Sequence, residues 1–287
     1  MANTAMKIDL HMNSTVSDGT DQPRELLERV KNAGISCFSV TDHDAVKANY
    51  EIMAARQEGD PRFIPGVEFS CEDEDGKYHI LGYGFDLGAP SLAYMIQRGH
   101  NLRMDKVRAR LDFLKTKFGF VFPEEEVEGL LSLENPGKPH IGNLMVKYGY
   151  TDTKERAIRE YIDQLHFKDA HFRPEEAITA IMAGGGVPIL AHPFFGDGND
   201  LILGEDMEKR LEKLVGFGLQ GLEAFYSGFS DKLCNEALTL AERFELLVTA
   251  GSDYHGKNKL VQLGDTGLAR ETVYPMGLQY FLALFLD

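Results

Sequence analysis

His11-Met12-Asn13-Ser14-Thr15-Val16-Ser17-Asp18-Gly19 leaves a short apolar run, Lys7-Ile8-Asp9-Leu10, and sets a histidine, an amide, two serines and an aspartate where a strand ends and a glycine turn begins. Four later segments repeat the arrangement. Ser36 to Thr41 runs into Asp42-His43-Asp44, and Phe63 to Phe69 delivers Glu68. Val187 to Ala191 ends in His192-Pro193, and Leu246 to Ala250 ends in Gly251-Ser252-Asp253-Tyr254-His255. A buried strand does not otherwise carry such residues, because polar groups withdrawn from water without partners cost free energy.

Working outward, Pro23 to Ala33 reads as a helix with proline in its first turn and Gly34 past its end, which makes residues 7–41 a β-loop-α-β unit with parallel strands. A helix near Val46 to Gln57 follows, and Lys77 to Phe85 is an alternating run that carries His79 on one side. From about Ala89 to Arg173 the strand signals stop and four helices are expected: Leu92 to Lys117, Pro123 to Leu133, His140 to Tyr148 and Lys154 to Leu165. Strands and helices then alternate again through helices at Pro174 to Ala183, Glu205 to Phe217 and Asp231 to Phe244 and a strand at Gly221 to Phe225. The pattern predicts an α/β protein, a parallel barrel or a doubly wound sheet of about seven strands. Residues 1–88 and 174–287 would form one discontinuous domain, and residues 89–173 an inserted helical cap.

The chain has 287 residues and a net charge of -15, which argues against a protein that grips long nucleic acid, since that task needs clustered Lys and Arg. A small phosphorylated ligand stays compatible, because a bound cation supplies local positive charge. Cys37, Cys71 and Cys234 are odd in number and lack metal-type spacing, so they read as reduced thiols in a cytoplasmic protein. No apolar run reaches the ~18 residues of a membrane helix, and no signal-peptide core is evident at the N-terminus. A soluble, cytoplasmic protein without a membrane partner is expected.

In a parallel barrel the reactive groups gather at the carboxyl ends of the strands. His11, Asp18, His43, Glu68, His192, Asp253 and His255 all fall there, and His79, within its strand, could reach the same mouth. Imidazole and carboxylate together are the ligand set of zinc, manganese and iron(II), and this many ligands imply more than one ion. A single strand-end histidine is more often a hydrogen-bonded structural residue, and Asp42 and Asp44 would hold the loop or orient His43. For the whole set, coincidence is a poor explanation, because so many acids and imidazoles at one mouth would cost several kcal/mol without cations.

Asp9-Leu10-His11, Ser17-Asp18-Gly19, Thr41-Asp42-His43-Asp44, Gly66-Val67-Glu68, Ala191-His192-Pro193 and Gly251-Ser252-Asp253-Tyr254-His255 resemble, in order and spacing across nearly the whole chain, the motifs of the PHP (polymerase and histidinol phosphatase) superfamily. The helical block resembles the insertion of its small metal-dependent phosphoesterase branch. The resemblance implies a distorted (β/α)7 barrel holding two or three divalent ions, of Mn, Zn or Fe. Position by position, one ion would be held by His11, Asn13, Glu68 and Asp253. A second would share Glu68 with His79 and His192, and a third would take Asp18, His43 and His255. The implied reaction is phosphoester hydrolysis by a hydroxide that bridges two ions, with Glu68, His192 and Asp253 at the reacting centre. The implied substrate is a small phosphorylated metabolite: a nucleoside monophosphate or 3',5'-bisphosphate, or a sugar cyclic phosphate.

The chain departs from the family's His-x-His at Asn13, whose amide oxygen is a weaker zinc ligand than imidazole though acceptable to harder ions. A binding protein with a weakened metal site and little turnover is therefore an alternative. A metallohydrolase of C–N bonds is a further one, disfavoured by the lack of a lysine placed for carboxylation at a strand end. In the helical block Arg103, Lys138 and His140 are the candidate substrate-binding residues; Arg108 reads as a solvated face. Lys138-Pro139-His140 stands where the branch has Arg-Pro-His at a helix start, a position suited to anions, and lysine there does not clamp phosphate as arginine does. The loop Phe194 to Asp200 borders the mouth, and Glu223 reads as structural.

Overall fold

The computed structural model describes residues 6–133, 135–167, 171–195, 201–268 and 273–285. Three very short strands, β1 (Ile8–Asp9), β2 (Cys37–Phe38) and β3 (Arg62–Phe63), pair in parallel, with α1 (Pro23–Asn32) and α2 (Lys47–Ala55) as the crossovers. Proline starts α1, where its fixed φ costs nothing, and Leu26, Leu27 and Val30 recur at helical spacing to bury one face.

A second sheet has the order β4 (Gly66–Asp73), β5 (Gly76–Tyr83), β6 (Val187–Leu190), β7 (Gly221–Tyr226) and β8 (Leu247–Gly251). The run expected as one strand from Phe63 to Phe69 is divided at Pro65, which has no N–H to give to a ladder. β4 and β5 form an antiparallel hairpin, Gly66 opposite Tyr83 and Asp73 opposite Gly76, and β5 is antiparallel to β6 as well. A turn of two residues is too short for a parallel crossover, so the parallel pattern is interrupted here and resumes from β6 to β8.

The described strands pair as two open sheets rather than one closed barrel. The sheets meet along two edges. Leu10 N–H donates to Ala250 O at 2.9 Å and Asp253 N–H to His11 O at 2.8 Å, joining β1 to β8. At the other edge Glu68 N–H donates to Asp42 O at 3.3 Å and Asp44 N–H to Glu68 O at 2.9 Å. These bonds bring the carboxyl ends of β1, β2 and β8 to the segment that carries Glu68.

Between β5 and β6 lie α3 (Pro90–Phe118), α4 (Glu124–Leu131), α5 (Lys138–Lys147), α6 (Lys154–Glu160) and α7 (Pro174–Ala183), with no strand among the described residues. Val107, Leu114, Phe122, Ile141, Met145 and Ile162 give the helical stretch an apolar cluster of its own. α8 (Gly204–Gly216) and α9 (Asp231–Arg243) flank the later strands as expected. A last helix, α10 (Met276–Ala283), was not anticipated; it buries Leu278, Phe281 and Leu282 in the main core. Among the described residues no helix is long and apolar enough to cross a membrane.

Candidate active site

Glu68 is the hub. On β4 it is 1% exposed, and four imidazoles surround its carboxylate. His79 Nδ1 lies 2.7 Å and His192 Nε2 3.5 Å from Oε1, while His11 Nε2 lies 3.1 Å and His43 Nδ1 3.3 Å from Oε2. The hairpin register explains one of these approaches: His79 is paired with Ser70, two residues beyond Glu68 and so on the same face of the sheet. Three groups of ligand atoms result, each within 4.8 Å: His11, Glu68 and Asp253; His43, Glu68 and His79; and Asp18, His43 and His255. A fourth acidic group, Asp73, Glu74 and Asp75, is the tip of the β4–β5 hairpin and is neutralised by Lys213.

The backbone is bent to aim these groups. His192 and Asp253, the first residues past the ends of β6 and β8 to point into the site, have φ of 27° and 57°, and Asp44 has 50°. Non-glycine residues reach this left-handed region at a cost of ~1–3 kcal/mol, and such outliers gather at functional sites. Gly251 is needed for the same reason of space, since a Cβ there would stand 2.2 Å from His11 Cβ and 2.4 Å from Glu223 Oε1.

Buried carboxylates behind these groups hold the candidate ligands in place. Glu223, wholly buried, takes the His11 Nδ1 contact at 3.0 Å and accepts from His192 N–H at 2.9 Å. With a divalent ion in place of the Nε2 proton, the first contact would keep the remaining proton on Nδ1 and turn the Nε2 lone pair toward the group it forms with Glu68 and Asp253. Asp42 accepts from the N–H and hydroxyl of both Ser14 and Ser17, and Asp9 accepts from Ser252 and Gly264, so each ties a ligand-bearing loop to the end of a strand.

Asn13 is fully buried beside this network. The Ser17 hydroxyl lies 3.0 Å from Asn13 Oδ1 and 2.6 Å from Asp42 Oδ1, yet it has only one hydrogen. The shorter contact, to a carboxylate, claims it. Exchanging the amide O and N, whose positions are interchangeable, lets the NH2 donate to Ser17 and leaves the amide oxygen as the buried atom without a hydrogen-bond partner.

The electrostatics call for cations. Burial raises the pKa of Glu68, but His43, His11 and His79 outweigh it and hold the carboxyl well below its usual range. Burial likewise lowers His11, but Glu68, Glu223 and Asp253 outweigh it and push the imidazole well above its usual value. His43, by contrast, is lowered to about 4, chiefly by burial. Protonated imidazoles thus meet part of the acids' demand for positive charge, a demand that divalent ions would meet while displacing those protons. Asp18 Oδ1, Glu68 Oε1 and Asp253 Oδ1, one in each group, are buried and off hydrogen-bond geometry with every neighbour. Converging imidazole and carboxylate atoms with unused lone pairs fit divalent ions.

A cavity of about 500 Å³ opens over His43, Glu68, His79, His192 and Asp253. Lys138 lines it and pairs with Asp163 at 2.5 Å. The structure does not bring Arg103 and His140 into that lining. Arg103 pairs with Asp44 at 2.5 Å, and His140 Nδ1 accepts from Gly137 N–H at 3.1 Å, closing the first turn of α5 on itself. Lys259 and Tyr226 are among the lining residues that the sequence reading did not single out, as are Ser70, Lys77 and His171, whereas Phe195 belongs to the loop expected to border the mouth. Lys259 Nζ lies 2.5 Å and Tyr226 Oη 3.0 Å from Asp253 Oδ2, which saturates that oxygen and leaves Oδ1 facing the ligand group. Lys259 follows the His255 motif by four residues in irregular chain, where no periodicity marks it. Residues 196–200 of the Phe194 to Asp200 loop lie outside the described residues.

Comparison with known proteins shows the chain's family. The PHP domain profile matches residues 9–172. A phosphoribosyl 1,2-cyclic phosphate 1,2-diphosphodiesterase of Eggerthella lenta is 31% identical over 87% of this chain and 94% of its own. A 5'-3' exoribonuclease of Haemophilus influenzae is 28% identical over 94% of this chain and 97% of its own. A 3',5'-nucleoside bisphosphate phosphatase of Chromobacterium violaceum is 26% identical over 86% and 87%. A solved structure from Bifidobacterium adolescentis, assigned as a metal-dependent phosphoesterase, superposes with a TM-score of 0.81 at 26% identity over 99% of this chain and 98% of its own. The chain belongs to the PHP domain family and is a hydrolase of phosphate esters.

Proposed function

We propose that the chain hydrolyses a small phosphorylated metabolite in the cavity over Glu68, with two or three divalent ions held by His11, Asn13, Asp18, His43, Glu68, His79, His192, Asp253 and His255. The observation that carries this reading is the buried carboxylate oxygen without hydrogen-bond geometry in each of the three ligand groups. Bound ions would supply the Lewis acidity that activates water and neutralises the phosphate oxygens. The chain's own residues supply the rest. Glu68, common to two of the ligand groups, would hold an ion in either; Tyr226 and Lys259 hold Asp253 so that its other oxygen faces its group; and Glu223 holds His11. Lys138 and Lys259 bring positive charge to the cavity wall, where phosphate oxygens need it. The two sheets are read as halves of a distorted barrel, seven-stranded when β3 and β4, divided at Pro65, count as one strand, and residues 89–173 as its cap. Support comes from the backbone bonds along both sheet edges, the helices' own apolar cluster and the entry of Lys138 into the cavity lining. A cytoplasmic setting accords with the buried, reduced thiols of Cys37 and Cys71.

Nucleoside bisphosphates, nucleoside monophosphates and sugar cyclic phosphates are the leading substrates. A second reading, the 5' end of an RNA, is favoured by the relatives named as exoribonucleases. An acidic chain can serve that role where ions and a few lysines grip only the terminal nucleotides. The test is product analysis with manganese-loaded protein: inorganic phosphate released from nucleotides, bisphosphates and sugar cyclic phosphates, and mononucleotides released from 5'-phosphorylated RNA oligomers. Turnover of at least one small ester is expected. Cleavage of RNA alone would replace the first reading by the second, and no release from any member would overturn both.

A further inference from the structure

One wall of the cavity is aromatic, and phosphate chemistry makes no use of it. Phe195 and Tyr226 both line the space over Glu68. Phe195 packs on Phe229 with ring centroids 5.4 Å apart and on Tyr226 at 6.0 Å, and Tyr226 packs on Phe229 at 5.2 Å. Phe194 closes the group from within, fully buried against Phe229 at 5.2 Å. Tyr226 is fixed further by its hydroxyl on Asp253 and its ring beside His192. Phe195 is fixed through its backbone, since its N–H donates to His192 O at 2.9 Å and its carbonyl meets His192 Nδ1 at 3.1 Å. A half-buried ring, held rigidly three residues after a ligand histidine and bordering a cavity, exposes π surface beside the point where phosphate is expected.

We propose that Phe195, backed by Tyr226 and Phe229, is the face on which the substrate's base stacks, so that the preferred ligand of this cavity carries a nucleobase and not a bare sugar phosphate. The inference rests on the phosphoesterase reading above, and it narrows the substrate class. Stacking of a base on an aromatic side chain stabilises the complex whatever the base, and a preordered ring loses little entropy on binding.

The chain contains no tryptophan, so Phe195→Trp places a single fluorophore in this wall. With manganese present, the non-hydrolysable 5'-phosphonate analogue of AMP should quench it saturably, whereas the same analogue of ribose 5-phosphate should leave it nearly unchanged. In kinetics, Phe195→Ala should raise KM about tenfold for nucleotides and leave KM for base-free sugar phosphates within twofold. Phe195→Leu, which keeps the apolar volume, should behave like the alanine variant. Equal quenching by both analogues, or equal changes in KM for both substrate types, would overturn the proposal. Saturable quenching by the nucleotide analogue in a protein that releases no phosphate would leave the stacking site standing and remove the hydrolytic reading instead.

Discussion

Asn13 stands two residues beyond His11, and its hydrogen-bond arithmetic leaves an amide oxygen, not a nitrogen, available in a fully buried place. An oxygen ligand suits manganese better than zinc. Asn13→His should therefore keep the number of bound ions but shift preference toward zinc, while Asn13→Ala should lose one ion, both read by elemental analysis after dialysis against mixed metals. Lys259 makes a separate case. Replacing it with methionine leaves Tyr226 on Asp253, so bound metal should be unchanged while kcat/KM falls ~10- to 100-fold, the worth of a charged hydrogen bond of ~1.5–3 kcal/mol. A matching loss of metal would make Lys259 a support of Asp253 and nothing more. Most of the candidate ligand residues stand out in the sequence because they follow an apolar run, whereas Glu68 and His79 lie inside strands. Lys259 does not stand out, since it sits in irregular chain, and Glu223, read as structural, gives no sign that its partner is a histidine 212 positions away.

At the level of elements, the hairpin and the long helix carry the lessons. The β4–β5 pair puts Glu68 and His79 on one sheet face by antiparallel register, which a parallel reading of the alternation does not supply. Very short strands such as β1 and β2 give weak periodic signals, and their function was legible only through the polar residues that follow them. α3 turns Arg103, Lys106 and Arg110 toward one side, and burial, reinforced by Arg103 and Arg110 and opposed by Asp44, lowers the Lys106 pKa to about 8. An ammonium whose folded pKa is depressed costs stability below that value, and the cost disappears as pH rises through 8 toward 10.5, where the unfolded chain also loses the proton. Lys106→Met should thus raise stability at pH 7 by up to about 3 kcal/mol. Thermal unfolding at pH 7 and pH 10 checks this: the advantage should shrink at the higher pH, and a constant difference would assign it to packing.

Across the whole molecule, residues as distant in sequence as His11 and His255 are gathered because the first and last strands meet edge to edge and Glu68 enters from the segment between them. Composition gave the acidic balance but not its meaning, since the acids that matter are buried around one centre while the surface carries the rest. The helical stretch was legible as strand-free, and its contribution of Lys138 to the cavity followed from a motif; that Arg103 and His140 turn to Asp44 and Gly137 depends on tertiary geometry alone. Everything proposed about the chemistry depends on Glu68 serving two ligand groups at once. Native mass spectrometry of the manganese-loaded protein and its Glu68→Gln variant, folded to the same extent by circular dichroism, tests that claim. Two or three ions are expected in the parent; those in the two groups that contain Glu68 should be lost together in the variant, and an ion held by Asp18, His43 and His255 should remain. An unchanged count in the variant, or no ion in the parent, would contradict it.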